Sequence, residues 1–149
     1  MGQPTSTVSL DEMISQRQVL LCNFAKGHIG EANAKLLGAL ITTEIFLTAL
    51  ARQTLPEHER VDHYLYLDEC QNISTTVLGS ILSESRKYRL NLTLSHQFLD
   101  QLEPDIVQSI FGTVGTLIAF RLGSPDAITL EKEFMPEFRA VDLQHLEQY

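Results

Sequence analysis

The sequence of 149 residues predicts an α/β fold with a mainly parallel sheet flanked by helices. Apolar runs of strand length alternate along the chain with longer segments of helical periodicity. The segments that join successive strands are each long enough to hold a helix, as parallel pairing requires. Hydrophobic residues make up 44% of the chain, so a domain of this size can bury a core.

The predicted elements follow in chain order. We expect strands near residues 19–25, 63–68, 90–95 and 115–121, and helices near 31–53, 75–88 and 99–111. Before them, Ser9-Leu10-Asp11-Glu12 has the pattern of a short helix start.

The helix predicted near 31–53 is apolar on most faces. We expect it to pack between the sheet and its neighbours, because Glu44 and Arg52 interrupt its apolar run. No stretch approaches the roughly 20 apolar residues that cross a bilayer, and no basic-then-apolar signal pattern begins the chain. These observations predict a soluble, cytoplasmic segment without membrane contact.

Two predicted strands end in polar clusters. The apolar run from His63 to Leu67 leads into Asp68 and Glu69, and the run from Leu90 to Leu94 leads into Ser95-His96-Gln97. Ligands of open parallel α/β sheets bind at the carboxyl ends of the strands, so Asp68, Glu69 and Gln97 are predicted to face one crevice. A strand that ends in Asp-Glu also occurs by chance, and the pair alone is a hypothesis. Between the strands, Ser74-Thr75-Thr76 can cap the next helix.

Several motifs in this order resemble the HerA/FtsK superfamily of DNA-pumping P-loop ATPases, and within it the TraG/TraD-like coupling proteins of type IV secretion and conjugation. The resemblance covers roughly residues 19 to 126. The motifs are Tyr66-Leu67-Asp68-Glu69-Cys70-Gln71-Asn72, Ile81-Leu82-Ser83-Glu84-Ser85-Arg86-Lys87-Tyr88, Asn91-Leu92-Thr93-Leu94-Ser95-His96-Gln97 and the run from Phe111 to Arg121. Their combination is more specific than any one motif.

The resemblance implies a role for each matching residue. Asp68 and Glu69 form a Walker B element, in which Asp68 holds the Mg²⁺ of ATP and Glu69 is the catalytic carboxylate. Gln97 is implied to be the sensor of the γ-phosphate, and Arg121 an arginine finger that reaches a neighbouring subunit. Arg86 is a second candidate for nucleotide binding. Its alternative role is a solvated cation at a helix C-terminus, which the helix dipole favours.

The chain departs from the family pattern because it contains no G-x-x-x-x-G-K-[ST] motif, the Walker A element. The nearest segment, Lys26-Gly27-His28-Ile29-Gly30-Glu31-Ala32, has its lysine before the glycines, and a tight strand-to-helix turn explains it better. The resemblance therefore implies the C-terminal part of a RecA-like ATPase core, with a sheet left incomplete because the P-loop strand is absent. We expect negligible ATP hydrolysis by this chain alone, and self-association through unpaired strand edges.

This interpretation divides the chain into a lead segment (1–18), the ATPase core (19–124) and an acidic tail (125–149). The implied parent is a hexamer that uses ATP and Mg²⁺ to pump DNA, whereas no cofactor is expected to bind tightly to this chain. Its net charge of −8 argues against strong binding of nucleic acid by this piece. The tail either contacts accessory secretion proteins or is a solvated end. The competing interpretation of the whole chain is a non-catalytic assembly or docking module with the same fold.

The cysteine and histidine patterns argue against a zinc site. Cys22 and Cys70 lack ligand spacing and suggest a reducing compartment. His96 could join Asp68 and Glu69 around a metal, but a hydrogen-bonded histidine beside the crevice is the favoured interpretation, because no second His or Cys follows at ligand spacing.

Overall fold

The computed structural model describes residues 8–73 and 75–147. The strands are β1 (His63–Leu67) and β2 (Leu90–Leu94). The helices are α1 (Leu10–Ser15), α2 (Lys26–Ile29), α3 (Glu31–Ala51), α4 (Thr75–Glu84), α5 (Pro104–Thr113), α6 (Ser124–Phe134) and α7 (Ala140–Gln144). Short 3₁₀ turns occupy Arg52–Thr54, Glu57–Glu59, Cys70–Asn72, Ser85–Tyr88 and Leu99–Gln101. The protein is therefore a mixed α/β chain, as predicted.

The two strands pair in parallel, with His63 opposite Leu90 and Leu67 opposite Leu94. The connection between them contains α4, as the sequence predicted for a parallel pair. Leu65 and Leu90 point into the core, whereas Tyr64 and Tyr66 are 59% and 70% exposed on the other face. This alternation follows from the two-residue period of a strand, so the sheet buries one face.

Two other predicted strands are wrong. Segments 19–25 and 115–121 have neither helical nor strand structure, and each carries exposed apolar side chains. Val19 is 82% exposed and Leu21 is 90% exposed in the first, and Ile118 is 75% exposed in the second. Their apolar composition favours strand, but a strand also needs a backbone partner, and neither segment pairs with a strand among the described residues.

The chain divides into two compact units, residues 1–97 and 98–149. In the first unit, α3 and α4 pack on the buried face of the sheet. The side chains buried in this cluster are Ile45, Phe46, Ala49, Leu65, Ile81 and Leu90. In the second unit, Ala127 and Leu130 of α6 pack with Leu143 of α7. The predicted division at residues 18 and 124 stays a prediction.

The predicted helix starts and ends are confirmed in part. Ser9 caps α1, since its hydroxyl accepts a hydrogen bond from the Glu12 amide at 3.3 Å. The helix predicted near 99–111 begins later, at Pro104, where proline suits the first turn. The side chains of the predicted cap Ser74-Thr75-Thr76 lie outside the described residues.

Gly30 and Gly38 position the helix α3. Gly30 has φ +81°, a conformation that favours glycine at the junction of α2 and α3. A Cβ at Gly38 would lie 3.1 Å from Ile73 Cδ1, so the absence of a side chain lets α3 approach the turn that follows β1. Gly38 therefore lies against Ile73, at the end of the turn that begins at Glu69.

The expectation that no stretch could span a membrane was too strong. Residues Glu31–Thr54, which comprise α3 and the next 3₁₀ turn, form a helix of 24 residues that is long and apolar enough by length and composition. One such helix is weak evidence, because the core helix of a soluble protein passes the same test. In this structure α3 contributes Ile45, Phe46 and Ala49 to the core, so the described chain is not clearly a membrane protein.

Candidate functional site

The candidate site lies where the two parallel strands end. Backbone hydrogen bonds continue past them: the Ser95 amide donates to Leu67 O, and the Cys70 amide donates to Ser95 O, each at 3.0 Å. These bonds hold the turn after β1 against the segment after β2. Asp68, Glu69 and Gln97 therefore lie at the same edge of the sheet, whereas their facing one crevice stays a prediction.

Gln97 and Gln71 hold the Glu69 carboxylate between them. Gln97 Nε2 donates to one carboxylate oxygen at 2.5 Å, and Gln71 Nε2 donates to the other at 2.7 Å. An ionised carboxylate accepts such bonds at both oxygens. The two amides therefore fix the orientation of the Glu69 side chain.

Asp68 is exposed, and one of its two carboxylate oxygens is hydrogen-bonded. Its Oδ1 accepts a hydrogen bond from the Ser95 hydroxyl and a second from the Glu69 amide, the latter at 3.0 Å. No hydrogen bond is described for its Oδ2. Sequence reasoning missed the contacts of Ser95 and Gln71 with the acid pair, although the position of Ser95 directly after β2 was a signal for the first.

Glu69 has a left-handed backbone, with φ 53° and ψ 47°. This conformation is costly for any residue with a Cβ, and it is found at functional sites that the surrounding structure holds in place. Asn72 contributes to that support, because its Nδ2 donates to Glu69 O at 2.9 Å. Asn72 Oδ1 in turn accepts a hydrogen bond from Lys26 Nζ at 3.3 Å. The turn is thus tied to α2.

The segment around Gly27 is a helical turn. The amides of His28 and Ile29 donate to Ala25 O at 2.8 and 3.2 Å, and the Gly30 amide donates to Lys26 O at 2.9 Å. These amides are already used inside α2 and at its end, so they do not form a loop open to phosphate. The interpretation as a tight turn into a helix agrees with this geometry, but the segment before it, 19–25, is not a strand.

Two predicted residues lie outside this group of contacts. Arg86 is exposed in the 3₁₀ turn before β2, so the length of that strand, about 16 Å at ~3.3 Å per residue, separates it from the end where Gln97 lies. Arg121 belongs to the second unit, in the segment without regular structure between α5 and α6. Their proposed roles in nucleotide binding and as an arginine finger stay predictions.

His96 and Cys70 lie beside the acid pair. His96 Nδ1 is buried and has no hydrogen-bond partner in the described chain, unlike the hydrogen-bonded histidine that the sequence suggested. Gln71 Oε1 is a second buried atom without a partner. Burial raises the pKa of the Cys70 thiol to about 11, and Glu69 and Asp68 add to that effect, so the thiol stays protonated near neutral pH, the less reactive form.

An apolar groove of about 810 Å³ lies along β1. Its walls come from α1, the segment at residues 17–24, α3 and the strand itself, with Asp68 among the lining residues. Most of its other lining side chains are aliphatic or aromatic. The groove therefore runs from Asp68 along a mainly apolar surface, and its other ionisable side chains are Arg17, Asp62 and His63, with the thiol of Cys22 and the phenols of Tyr64 and Tyr66.

Comparisons with protein families, with curated proteins and with solved structures found no match for this chain. The geometry of the acid pair and the resemblance of its motifs are therefore what a functional proposal can use.

Proposed function

We propose that this chain is the C-terminal part of the ATPase core of a DNA-translocating protein, of the HerA/FtsK superfamily and the coupling-protein type. The observation that carries the proposal is the hydrogen bond of 2.5 Å from Gln97 Nε2 to the Glu69 carboxylate. It joins the predicted catalytic acid to the predicted sensor across two neighbouring strands. A docking module has no evident need for this pair beside Asp68.

Asp68 fits the role of a single Mg²⁺ ligand. Mg²⁺ in nucleotide sites commonly takes one or two protein carboxylates and completes its shell with phosphates and water. No group of three potential metal ligands occurs among residues 8–73 and 75–147, so these residues supply no complete cage. Mg²⁺ would neutralise charge on the phosphates of ATP. Tight binding of Mg²⁺ or ATP to this chain alone is not expected.

Glu69, Gln97 and the two arginines have different proposed roles in ATP hydrolysis by the assembled parent. Glu69, held by two amides, orients the attacking water and accepts its proton. Gln97 is exposed and its amide contacts Glu69, which supports the proposed role of this amide as the sensor of a γ-phosphate. In the assembled parent, Arg121 would supply a guanidinium from a neighbouring subunit, and Arg86 is a second candidate for that contact.

The parallel pair β1–β2 is compatible with a RecA-like sheet in which a P-loop strand lies beyond β2. Another segment would have to supply that strand, and without it the exposed edge favours self-association of this chain as a dimer or swapped oligomer. The parent is proposed to be a cytoplasmic hexamer that threads DNA and contacts accessory secretion proteins. Light scattering that shows only monomer at high concentration would contradict the self-association.

Paramagnetic broadening by Mn²⁺ tests the metal site. Amide NMR signals of residues 68–72 and 95–97 should broaden at low Mn²⁺ concentration in the native chain, and Asp68→Asn should abolish the effect. Asp62→Asn is the matched control, because Asp62 lies before β1 and pairs with Arg89 at 3.5 Å. Broadening that survives in Asp68→Asn would refute the site and favour a docking module.

Hydrolysis of ATP by the isolated chain should stay at the background rate, because the P-loop amides and lysine are missing. A phosphate-release assay with Mg²⁺ and ATP measures this directly. A turnover that Glu69→Gln abolishes would show that the chain holds a complete site and would overturn the predicted dependence on another segment.

A further inference from the structure

Lys26 is a residue of the site that the functional roles above do not use. It is the first residue of α2, and 46 positions separate it from Asn72 in the sequence. Its Nζ nevertheless lies 3.3 Å from Asn72 Oδ1, in the turn that follows β1. A third segment of the chain therefore delivers a charged side chain to the edge where both strands end.

Asn72, the partner of Lys26, also contacts the backbone of Glu69. Asn72 Nδ2 donates to the backbone oxygen of Glu69 at 2.9 Å, so the ammonium group lies beside the Glu69 turn without an ion pair to either carboxylate. Its bond to Asn72 is long, exposed and made to a neutral acceptor. An ammonium has three donors, so Lys26 can exchange this bond for a stronger, charged acceptor at little cost.

Three backbone amides that follow Gly27 are not available for the same contact. The amides of His28, Ile29 and Gly30 are bonded within the α2 turn, as described above. These three amides therefore do not contact an anion, and the Lys26 side chain is the charged group that this segment brings to Asn72. Lysine is a common partner of phosphate in nucleotide sites, where it acts as a point charge.

We propose that Lys26 contacts the terminal phosphates of the nucleotide that the acid pair serves, and that Asn72 holds the ammonium when no phosphate is present. The proposal rests on the proposed function, because it needs a polyphosphate bound with Mg²⁺ beside Asp68. It gives this half of the site a cation of its own, independent of a P-loop lysine. The contact is a single charged hydrogen bond, so the affinity of this chain for polyphosphate stays weak.

The test uses NMR titration of the whole chain with Mg²⁺ and inorganic tripolyphosphate, which removes any contribution from the base. Chemical-shift changes should appear at residues 26–27 and 68–72, and Lys26→Met should weaken the dissociation constant by roughly tenfold, the value of one hydrogen bond to a charged group. Lys26→Arg should recover part of the affinity because it keeps the charge. Lys87→Met is the matched control, since Lys87 is exposed in the 3₁₀ turn before β2, at the other end of that strand from Gln97.

Binding within twofold of the native value in Lys26→Met would overturn the proposal, as would an equal weakening in Lys87→Met. Retained amide spectra away from residue 26 show that a variant is folded. The Mn²⁺ experiment separates the two proposals: if Asp68 still governs broadening while Lys26→Met binds tripolyphosphate normally, only the role of Lys26 fails. If neither Mn²⁺ nor tripolyphosphate acts at this edge, both fail.

Discussion

The backbone conformation of Glu69 makes a quantitative prediction about stability. A left-handed residue with a Cβ costs roughly 1–2 kcal/mol, whereas glycine adopts the same conformation freely. Glycine also loses about 0.5–1 kcal/mol more conformational entropy than alanine on folding. At the midpoints of these two ranges, Glu69→Gly should be more stable than Glu69→Ala by about 0.75 kcal/mol.

The comparison of the two variants isolates the backbone. Both remove the carboxylate that Gln71 and Gln97 hold, and both leave the bond from Asn72 to the backbone oxygen in place. The loss of side-chain contacts is therefore the same in each. What remains is the cost of placing a Cβ on a left-handed residue.

Urea denaturation at 25 °C, followed by circular dichroism, measures both free energies of unfolding. Lys35 supplies a control of opposite sign, because it is exposed inside α3, where glycine is less stable than alanine by about 1 kcal/mol. If Glu69→Gly proves no more stable than Glu69→Ala while the Lys35 pair behaves as expected, Glu69 is not strained. The surrounding amides would then not be holding a strained turn at Glu69.

Three further predictions concern the first unit. Leu78→Ala should lower the free energy of unfolding by about 3 kcal/mol, because the Leu78 side chain is 1% exposed. Leu40 is the control, since it lies in α3 and is 53% exposed. Leu40→Ala should change the free energy of unfolding by less than about 0.5 kcal/mol in the same urea assay. Burial, and then a nearby guanidinium, lowers the pKa of His63 below its ordinary value, so the unfolded chain takes up this proton first as pH falls. The native chain should therefore lose more stability between pH 7.5 and 5.5 than His63→Gln does, and equal losses would contradict the burial effect. A thiol reagent at pH 8 should label the exposed Cys22 rapidly and Cys70 only in urea. The reason is that Cys70 is fully buried and its thiol pKa is raised to about 11. Labelling of Cys70 in the native chain, detected by mass spectrometry, would refute this prediction.

The sheet illustrates what could be predicted from sequence. The strands at 63–67 and 90–94 were predicted to within a residue, because each is a short apolar run that ends in polar side chains. The runs at 19–25 and 115–121 have similar composition, yet they are not strands. Local composition favours strand in all four segments, whereas pairing depends on a neighbour that only the folded chain provides.

The candidate site, like the sheet, could be predicted from the sequence only in part. The sequence pointed to Asp68, Glu69 and Gln97 because parallel strands bring their carboxyl ends to one edge. It did not predict that Gln71 and Gln97 would hold the two oxygens of Glu69, or that Lys26 would reach Asn72. Those contacts depend on side-chain directions in a turn with a left-handed residue.

The sequence by itself determined the mixed α/β character, the parallel pair and the edge at which the acidic and amide side chains meet. These follow from hydrophobic periodicity and from the length of the connection between the strands, which are properties of the local chain. The tertiary structure alone decided which apolar runs became strands, how the Glu69 turn is held and where Lys26 lies. Each of these depends on contacts between residues far apart in sequence, whose geometry no local pattern specifies.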